Sequence, residues 1–202
     1  MNYPMTVTLP ALRKKGACLA GYNKLVRALQ GVEFSSKDEE RETYIRFAHK
    51  EPVTLEAILA NNGLDDALWA LRCVPEVDRD AYLFAVWCAR QVQHLMTDPR
   101  SLNALDVAEA FANGNATEAE RDAVGDAARV AAWDAVGAEA RAAAWVAVGV
   151  TVRATARYTV GAAARAAAWV AVGVTARAAV GDAQKEMFLC MCNGTAPWQV
   201  PK

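Results

Sequence analysis

Apolar side chains recur every three or four residues through the middle of the chain, the spacing that places them on one face of a helix. The pattern is clearest from Asp78 to Met96, and it resumes after Ser101, which offers a cap. Asn113-Gly114 then interrupts it, as residues that end helices do. The sequence therefore predicts two consecutive helices. Their apolar positions include Leu83, Phe84, Trp87, Cys88, Val92, Leu95, Leu102, Leu105, Ala108, Phe111 and Ala112.

Caps and stops predict shorter helices in the first 75 residues. Thr54 offers its side chain as an N-cap, Asn61-Asn62-Gly63 is a stop, and Pro75 ends a further helix. No alternating pattern with hairpin turns indicates strands in this part. The predicted segments are a short helix from Pro10, a longer one between Gly16 and Gly31, and helices over 37–48, 55–60 and 64–74.

The chain becomes repetitive after Thr117, which forms a capping box with Glu120. The twelve residues Ala-Arg-Ala-Ala-Ala-Trp-Val-Ala-Val-Gly-Val-Thr occur at 140–151 and again, identically, at 164–175. Every fourth position from Arg121 to Gly181 is Arg, Gly or Trp. Duplication of a short DNA unit explains this pattern without selection for any site.

Two structures are compatible with the repeat. Alanine favours helix, so we expect two antiparallel helices with a break between Gly149 and Gly161 and with tryptophans filling the gaps between helices. The alternative is a 12-residue β-solenoid, because an even period keeps Trp, Arg and Gly on constant faces of a strand. Ala-Ala-Ala-Trp is poor strand material, which favours the helices.

The whole chain is therefore predicted to be all-α, with short N-terminal antiparallel helices followed by an Ala-rich repetitive helical hairpin. Asp182, after Gly181, is expected to cap a last helix. The predicted organisation is an N-terminal helical domain over 1–116, the Ala/Trp/Arg-rich region packed on it over 117–192, and a flexible tail over 193–202.

Charge is unevenly distributed along a chain whose formal net charge is −1. Residues 1–30 carry +5, 31–66 carry −5, 67–139 carry −6 and 140–202 carry +5. Either the basic ends fold against the acidic middle, or a basic surface stays open to an acidic partner.

Residues that carry chemistry are scarce. His49 and His94 have no metal-ligand spacing, and the five cysteines form no CxxC pair, which fits a reducing compartment. The chain has no phosphate-binding glycine loop and no nucleophile elbow. We therefore expect no enzyme, and name no catalytic residue, metal or cofactor. Lacking an apolar run of about 18 residues and a secretory signal, the chain is expected in the cytoplasm without membrane contact.

Four segments resemble a group of uncharacterised phage and prophage proteins rich in Ala, Arg and Trp. They are Gly63–Leu71 (GLDDALWAL), Phe84–Val92 (FAVWCARQV), Phe111–Gly114 (FANG) before a threonine cap, and the opening Leu12–Cys18 (LRKKGAC). The likeness covers most of the chain, and its motifs are structural rather than chemical.

A second resemblance runs from Cys88-Ala89-Arg90 through Asp98-Pro99-Arg100 into the alanine tract. It is to a family of immunity proteins that neutralise polymorphic toxins. That family implies an all-helical binding protein with no catalytic residues to transfer.

Three hypotheses of function follow. The first is a phage or prophage accessory protein, in the cytoplasm of a bacterial host, that binds and blocks a host or toxin protein through the acidic middle or a basic repeat face. The second is nucleic-acid or nucleotide binding, with Trp133, Trp145 or Trp169 stacking on bases. The third is a self-associating structural module that forms homo-oligomers. The candidate partner-binding residues are Arg141, Arg153, Arg157, Arg165, Arg177, Trp145 and Trp169.

Overall fold

The fold is seen in a computed structural model that describes residues 5–135, 138–151, 161–162, 164–167 and 174–200. The chain divides into two compact units. Unit 1 comprises residues 1–75 with 192–194, and unit 2 comprises 76–191 with 195–202. The predicted boundary between 116 and 117 falls inside unit 2.

Unit 1 consists of short helices and one pair of two-residue strands. The strands are antiparallel, with Thr6 opposite Thr54 and Val7 opposite Val53. Its elements are β1 (Thr6–Val7), α1 (Leu9–Lys14), α2 (Leu19–Leu29), α3 (Ser36–Glu39), β2 (Val53–Thr54), α4 (Leu55–Asn62) and α5 (Leu64–Ala70), with a 3₁₀ turn over Leu71–Cys73.

Local capping explains where several of these helices begin. The Thr54 hydroxyl accepts a hydrogen bond from Ala57 N at 3.1 Å, as predicted, and the Cys18 sulfur accepts one from Gly21 N at 3.3 Å. Gly63 separates α4 from α5 with a φ of 95°, a conformation that glycine adopts without strain.

The helix predicted over 37–48 is wrong beyond α3. Side chains of α2 and its neighbours hold this segment in another conformation. The buried Asn23 donates to Thr43 O at 3.1 Å and accepts from Ile45 N at 2.8 Å, while the Tyr44 hydroxyl donates to Ala17 O at 2.6 Å. These bonds satisfy backbone groups that a helix would otherwise pair.

Unit 2 consists of longer helices. It contains α6 (Asp78–Arg90), a 3₁₀ turn (Gln93–Leu95), α7 (Pro99–Ala112), α8 (Glu118–Asp134), α9 (Ala138–Thr151) and α10 (Val174–Cys192), and the chain is also helical at 161–162 and 164–167. The predicted capping box of α8 is present, with Thr117 and Glu120 each bonded to the other's backbone N–H. Asp98 rather than Ser101 caps α7, and Ser101 is buried within the helix.

Small residues form much of the contact among three helices of unit 2. α7 packs against α8 and α9, and α8 and α9 pack against each other. Buried alanines face these contacts, among them Ala104 and Ala108 of α7, Ala128 and Ala132 of α8, and Ala143 of α9. Alanine lets helix axes approach closely, so the Ala-rich composition serves tertiary packing as well as helix propensity.

One buried charge connects three helices of this core. Arg121 of α8 is 3% exposed. Its guanidinium lies 4.6 Å from the centre of the Phe111 ring and donates to the Tyr82 hydroxyl at 3.3 Å. It also pairs with Asp122 at 2.9 Å, which offsets the cost of burying the charge.

The repeat region is helical where it is described, so the all-α prediction is confirmed, and no solenoid appears in those residues. The first copy of the twelve-residue repeat lies in α9. The break expected between Gly149 and Gly161 falls on 152–160, outside the described residues. A break that was not predicted separates α8 from α9 after Asp134, where Ala135 is extended. The separate last helix at Asp182 is wrong, because α10 runs through it.

Residues 195–200, predicted to belong to a flexible tail, make specific hydrogen bonds within unit 2. Trp198 Nε1 donates to Asp80 Oδ1 at 3.1 Å, and Gln199 Nε2 donates to Asp80 Oδ2 at 3.0 Å. Arg79 donates to Trp198 O at 3.3 Å. These hydrogen bonds therefore hold residues 195–200 against the start of α6.

Within the described helices, none combines the length and apolar character that crossing a membrane requires.

Candidate protein-binding surface

Two tryptophans from neighbouring helices form an exposed aromatic pair. Trp133 lies near the end of α8 and is 69% exposed, while Trp145 lies in α9 and is 38% exposed. Their ring centroids are 5.7 Å apart with an interplanar angle of 82°, an edge-to-face contact. Val130, three residues before Trp133 and 50% exposed, lies on the same face of α8. We call Val130, Trp133 and Trp145 the tryptophan surface.

The alanine packing of α8 and α9 explains why these indoles face outward. Ala131 and Ala132 beside Trp133, and Ala144 and Val146 beside Trp145, are buried. The inward face of each helix is thus filled by smaller side chains. The expectation that tryptophans fill gaps between helices is wrong for this pair, and Trp169 lies outside the described residues.

Three arginines lie near the tryptophan surface, and two of them pair with carboxylates. Arg129 pairs with Asp126 at 2.9 Å, and Arg100 pairs with Asp134 at 2.8 Å. Arg141 is exposed and donates to Ala135 O at 3.0 Å. The surface therefore has an apolar centre and a polar rim, the anatomy of many protein interfaces, and two arginines of that rim pair with carboxylates.

The structure brings two of the predicted partner-binding residues to this region. Trp145 belongs to the tryptophan surface, and Arg141 contacts the chain between α8 and α9. Arg165 is exposed in the helical segment 164–167. Arg153 and Arg157 lie outside the described residues. Arg177 lies in α10, and its side chain is likewise outside them.

The charge segregation seen along the sequence largely disappears in the folded units. The basic residues 1–30 and the acidic residues 31–66 belong to unit 1 together, and Arg27 of the first pairs with Asp38 of the second at 2.7 Å. Summed over its residues, unit 1 carries +1 and unit 2 carries −2. This contact therefore fits the first interpretation of the charge pattern, in which the basic and acidic segments fold against each other and neutralise each other.

Two concave features could not be predicted from the sequence, because they depend on tertiary packing. One is a groove of about 470 Å³ in unit 2, lined by Leu83, Val86 and Trp87 of α6 and walled by residues 197–200. Its arginines are already engaged: Arg90 pairs with Glu109 and with Asp106. The other is a smaller cavity of about 80 Å³ in unit 1.

The thiols differ strongly in accessibility. Cys18 is exposed, whereas Cys88 and Cys192 are buried. Burial raises the pKa of Cys192 to about 12 and holds the pKa of Cys88 well above its ordinary value, so both remain protonated at neutral pH. In the described residues, no group of three or more His, Cys, Asp or Glu is arranged to hold a metal ion.

The tryptophan surface thus contains one of the predicted partner-binding residues, Trp145, together with Trp133 and Val130, which are not in that predicted set. In comparisons with known proteins, the chain matches no family model, no curated protein and no solved structure.

Proposed function

We propose that the chain is a non-catalytic protein-binding module that captures a partner protein on the tryptophan surface and inhibits it. In this proposal it is an accessory protein of a phage or prophage, acting in the cytoplasm of a bacterial host on a defence or toxin protein. The exposed edge-to-face pair of Trp133 and Trp145 is the observation that carries the proposal.

Exposed indoles fit the role of binding anchors. Tryptophan is enriched among the residues that dominate interface energies, because it buries a large area with only two rotatable side-chain bonds. Trp133 leaves most of its surface to solvent, and the buried alanines behind the pair support it on packed helices. A rigid apolar anchor loses little entropy on binding.

The pairing of Arg129 and Arg100 with carboxylates favours a protein over a nucleic acid as the partner. Binding to phosphates requires arginines or lysines whose charge is available to the phosphate backbone. Here Arg129 and Arg100 already pair with carboxylates, and Arg141 is engaged with a backbone oxygen. The resemblance to immunity proteins that bind toxins supports the same choice.

Capture from a bacterial lysate tests the proposal with matched variants. The tagged protein, the double variant W133A/W145A and the control V32A are each incubated with nuclease-treated lysate. Val32 is exposed to the same degree as Val130 but belongs to unit 1. We expect wild type and V32A to retain one stoichiometric protein and the double variant to lose it. The recovered protein's activity should fall when the wild-type chain is added.

Other outcomes decide against the proposal. If the double variant recovered the same protein in equal amount, the tryptophan surface would not be the binding site. Recovery that depends on nucleic acid would replace the proposal with the nucleic-acid hypothesis. If light scattering showed that wild type is an oligomer and W133A/W145A a monomer, with no lysate protein captured, the surface would instead serve self-association.

A further inference from the structure

A small cavity in unit 1 is lined by both apolar and polar side chains. It has a volume of about 80 Å³ and lies where α2, α4 and α5 converge, with Leu25 and Ile58 among its apolar walls. Cys18, Asn62 and Asp66 supply its polar groups. An engineered cavity of about 150 Å³ holds benzene, so this cavity has room for a group of about three heavy atoms.

The hydrogen bonds of Asn62 leave an acceptor without a donor. Its Nδ2 donates to Gly21 O at 2.7 Å and to Asp66 Oδ2 at 2.8 Å, and these two acceptors fix the orientation of the amide. Its Oδ1 is buried and accepts no hydrogen bond from any residue that the structure describes. A buried, unsatisfied acceptor is costly, and Asn62 is one of the residues that line the cavity.

Asp66 and Cys18 add two further acceptors at one place. A Cβ built on Gly21 would lie 2.6 Å from Asp66 Oδ2 and 3.0 Å from Cys18 Sγ, so both atoms lie directly against Gly21. No lysine or arginine in the described part of the chain forms an ion pair with Asp66. Carboxylate, amide oxygen and sulfur are all acceptors, and the carboxylate carries a negative charge.

The two aromatic walls of the cavity already have cations beside them. Tyr22 and Trp69 line the cavity, and each already has a guanidinium near its ring. Arg13 lies 5.8 Å from the centre of the Tyr22 ring, and Arg72 lies 5.1 Å from that of Trp69. These two guanidiniums repel a further cation, so the attraction of a cation to the cavity depends on Asp66 and on the uncharged acceptors.

We propose that this cavity binds a small primary ammonium group, donated either by a free alkylamine or by the end of a lysine side chain. The ammonium has three donors for the acceptors of Asp66, Asn62 and Cys18, and a positive charge for the carboxylate. One or two methylene groups fill the apolar remainder between Leu25 and Ile58. This site is separate from the tryptophan surface and does not depend on the function proposed for it.

The exposed thiol of Cys18 reports on occupancy. The full-length protein is treated with iodoacetamide, and alkylation of Cys18 is followed by mass spectrometry in millimolar ethylammonium chloride or in equimolar sodium chloride. We expect ethylammonium to slow alkylation about threefold or more, because the ligand would lie beside the sulfur, and D66N to abolish this protection. Equal rates in the two salts would overturn the proposal, as would protection that D66N retains in full.

Controls keep the result independent of unfolding. Protection is expressed as the ratio of the two rates within each variant, and circular dichroism verifies that D66N is folded. A series on wild type alone needs no variant: methylammonium and ethylammonium should protect, whereas tetraethylammonium, which exceeds the cavity, should not. Equal protection by all three cations would show a general salt effect and contradict the proposal.

Peptides distinguish the two sources of the ammonium group. A short peptide with one lysine is compared with the same peptide carrying acetyl-lysine, which lacks the charge. Stronger protection by the lysine peptide than by ethylammonium would assign the cavity to a protein ligand. Protection by ethylammonium alone would assign it to a free amine, and protection by neither would overturn the proposal.

Discussion

Asp38 shows how one buried carboxylate organises the turn after α2. Its side chain is nearly inaccessible. It accepts hydrogen bonds from Arg27 Nη2 at 2.7 Å, from Ser35 Oγ at 2.8 Å and from Arg41 Nε at 3.3 Å. The sequence places Asp38 in an acidic stretch typical of a solvated surface, and nothing local distinguishes it from its neighbours. Its burial depends on Arg27, eleven residues away.

Lowering the pH should reveal how much the ionised Asp38 contributes to stability. Hydrogen bonds from Arg27, and then from Ser35, hold the pKa of Asp38 well below its usual range. Because the folded pKa is lowered, Asp38 contributes stability that is fully present above the unfolded value of about 3.9 and is lost as pH falls below it. We expect D38N to have a lower urea midpoint than wild type at pH 6, and the difference to narrow at pH 3.

The matched control is D126N, which removes an exposed carboxylate paired with Arg129. Its urea midpoint should stay close to that of wild type at both pH values, because exposed ion pairs contribute little. A gap between D38N and wild type that is constant from pH 6 to pH 3 would contradict the role given to Asp38.

At the scale of the element, local signals predicted helices well and their boundaries less well. The caps at Thr54 and Thr117 are local signals, and the structure confirms them. The helix predicted from Asp78 to Met96 is confirmed as α6 only as far as Arg90, and α6 buries Ala81 to Val86 in succession rather than along one stripe. The strand pair of Thr6–Val7 and Val53–Thr54 was missed because its two halves are far apart and no hairpin turn joins them. Asp182 does not cap a separate helix, because α10 continues through it.

The tryptophan surface could be predicted only in part. Trp145 is one of the predicted partner-binding residues, but the four-residue period of the repeat fixes the phase of residues only along a single straight helix. The break after Asp134 resets that phase, and α8 and α9 then bring Trp133 to Trp145. A contact that depends on the angle between two helices is not encoded in the period of either.

Helical glycines provide an element-scale test, because two of them have opposite surroundings. A Cβ at Gly181 of α10 meets nothing within 4 Å, whereas one at Gly21 of α2 would lie 2.6 Å from Asp66 Oδ2. We expect G181A to raise the free energy of unfolding by about 0.5–1 kcal/mol, since alanine loses less entropy in a helix. G21A should lower it, because the carboxylate must move.

Urea denaturation followed by circular dichroism measures both variants. Each is the other's control, since the chemical change is identical and the neighbours differ. A destabilised G181A, or a G21A as stable as wild type, would show that the local packing described for that helix is wrong.

At the scale of the whole molecule, the cancellation of charge within each unit limits long-range attraction. Net charges of +1 and −2 leave little field to steer a partner, despite the strong segregation along the sequence. The sequence could not show this, because charge distribution along a chain does not specify which segments pair.

Salt dependence of partner binding tests this cancellation and rests on the proposed function. For the captured protein, we expect the association rate to change by less than about tenfold between low and high salt, since electrostatic steering would produce a larger effect. A biosensor titrated with sodium chloride measures it. A loss of affinity of about a thousandfold over a modest rise in salt is the behaviour of phosphate binding, and would contradict an apolar anchor.

The hydrogen bond between Trp198 and Asp80 also sets an order of events during protein synthesis. The two residues are 118 positions apart. A ribosome adding 5–20 residues per second reaches Trp198 roughly 6 to 24 s after Asp80. Throughout that interval the nascent α6 lacks the segment that walls its groove, and Leu83, Val86 and Trp87 are open on that side. In the newly made chain these three apolar side chains are therefore accessible to chaperones and proteases on that side until Trp198, the partner of Asp80, emerges.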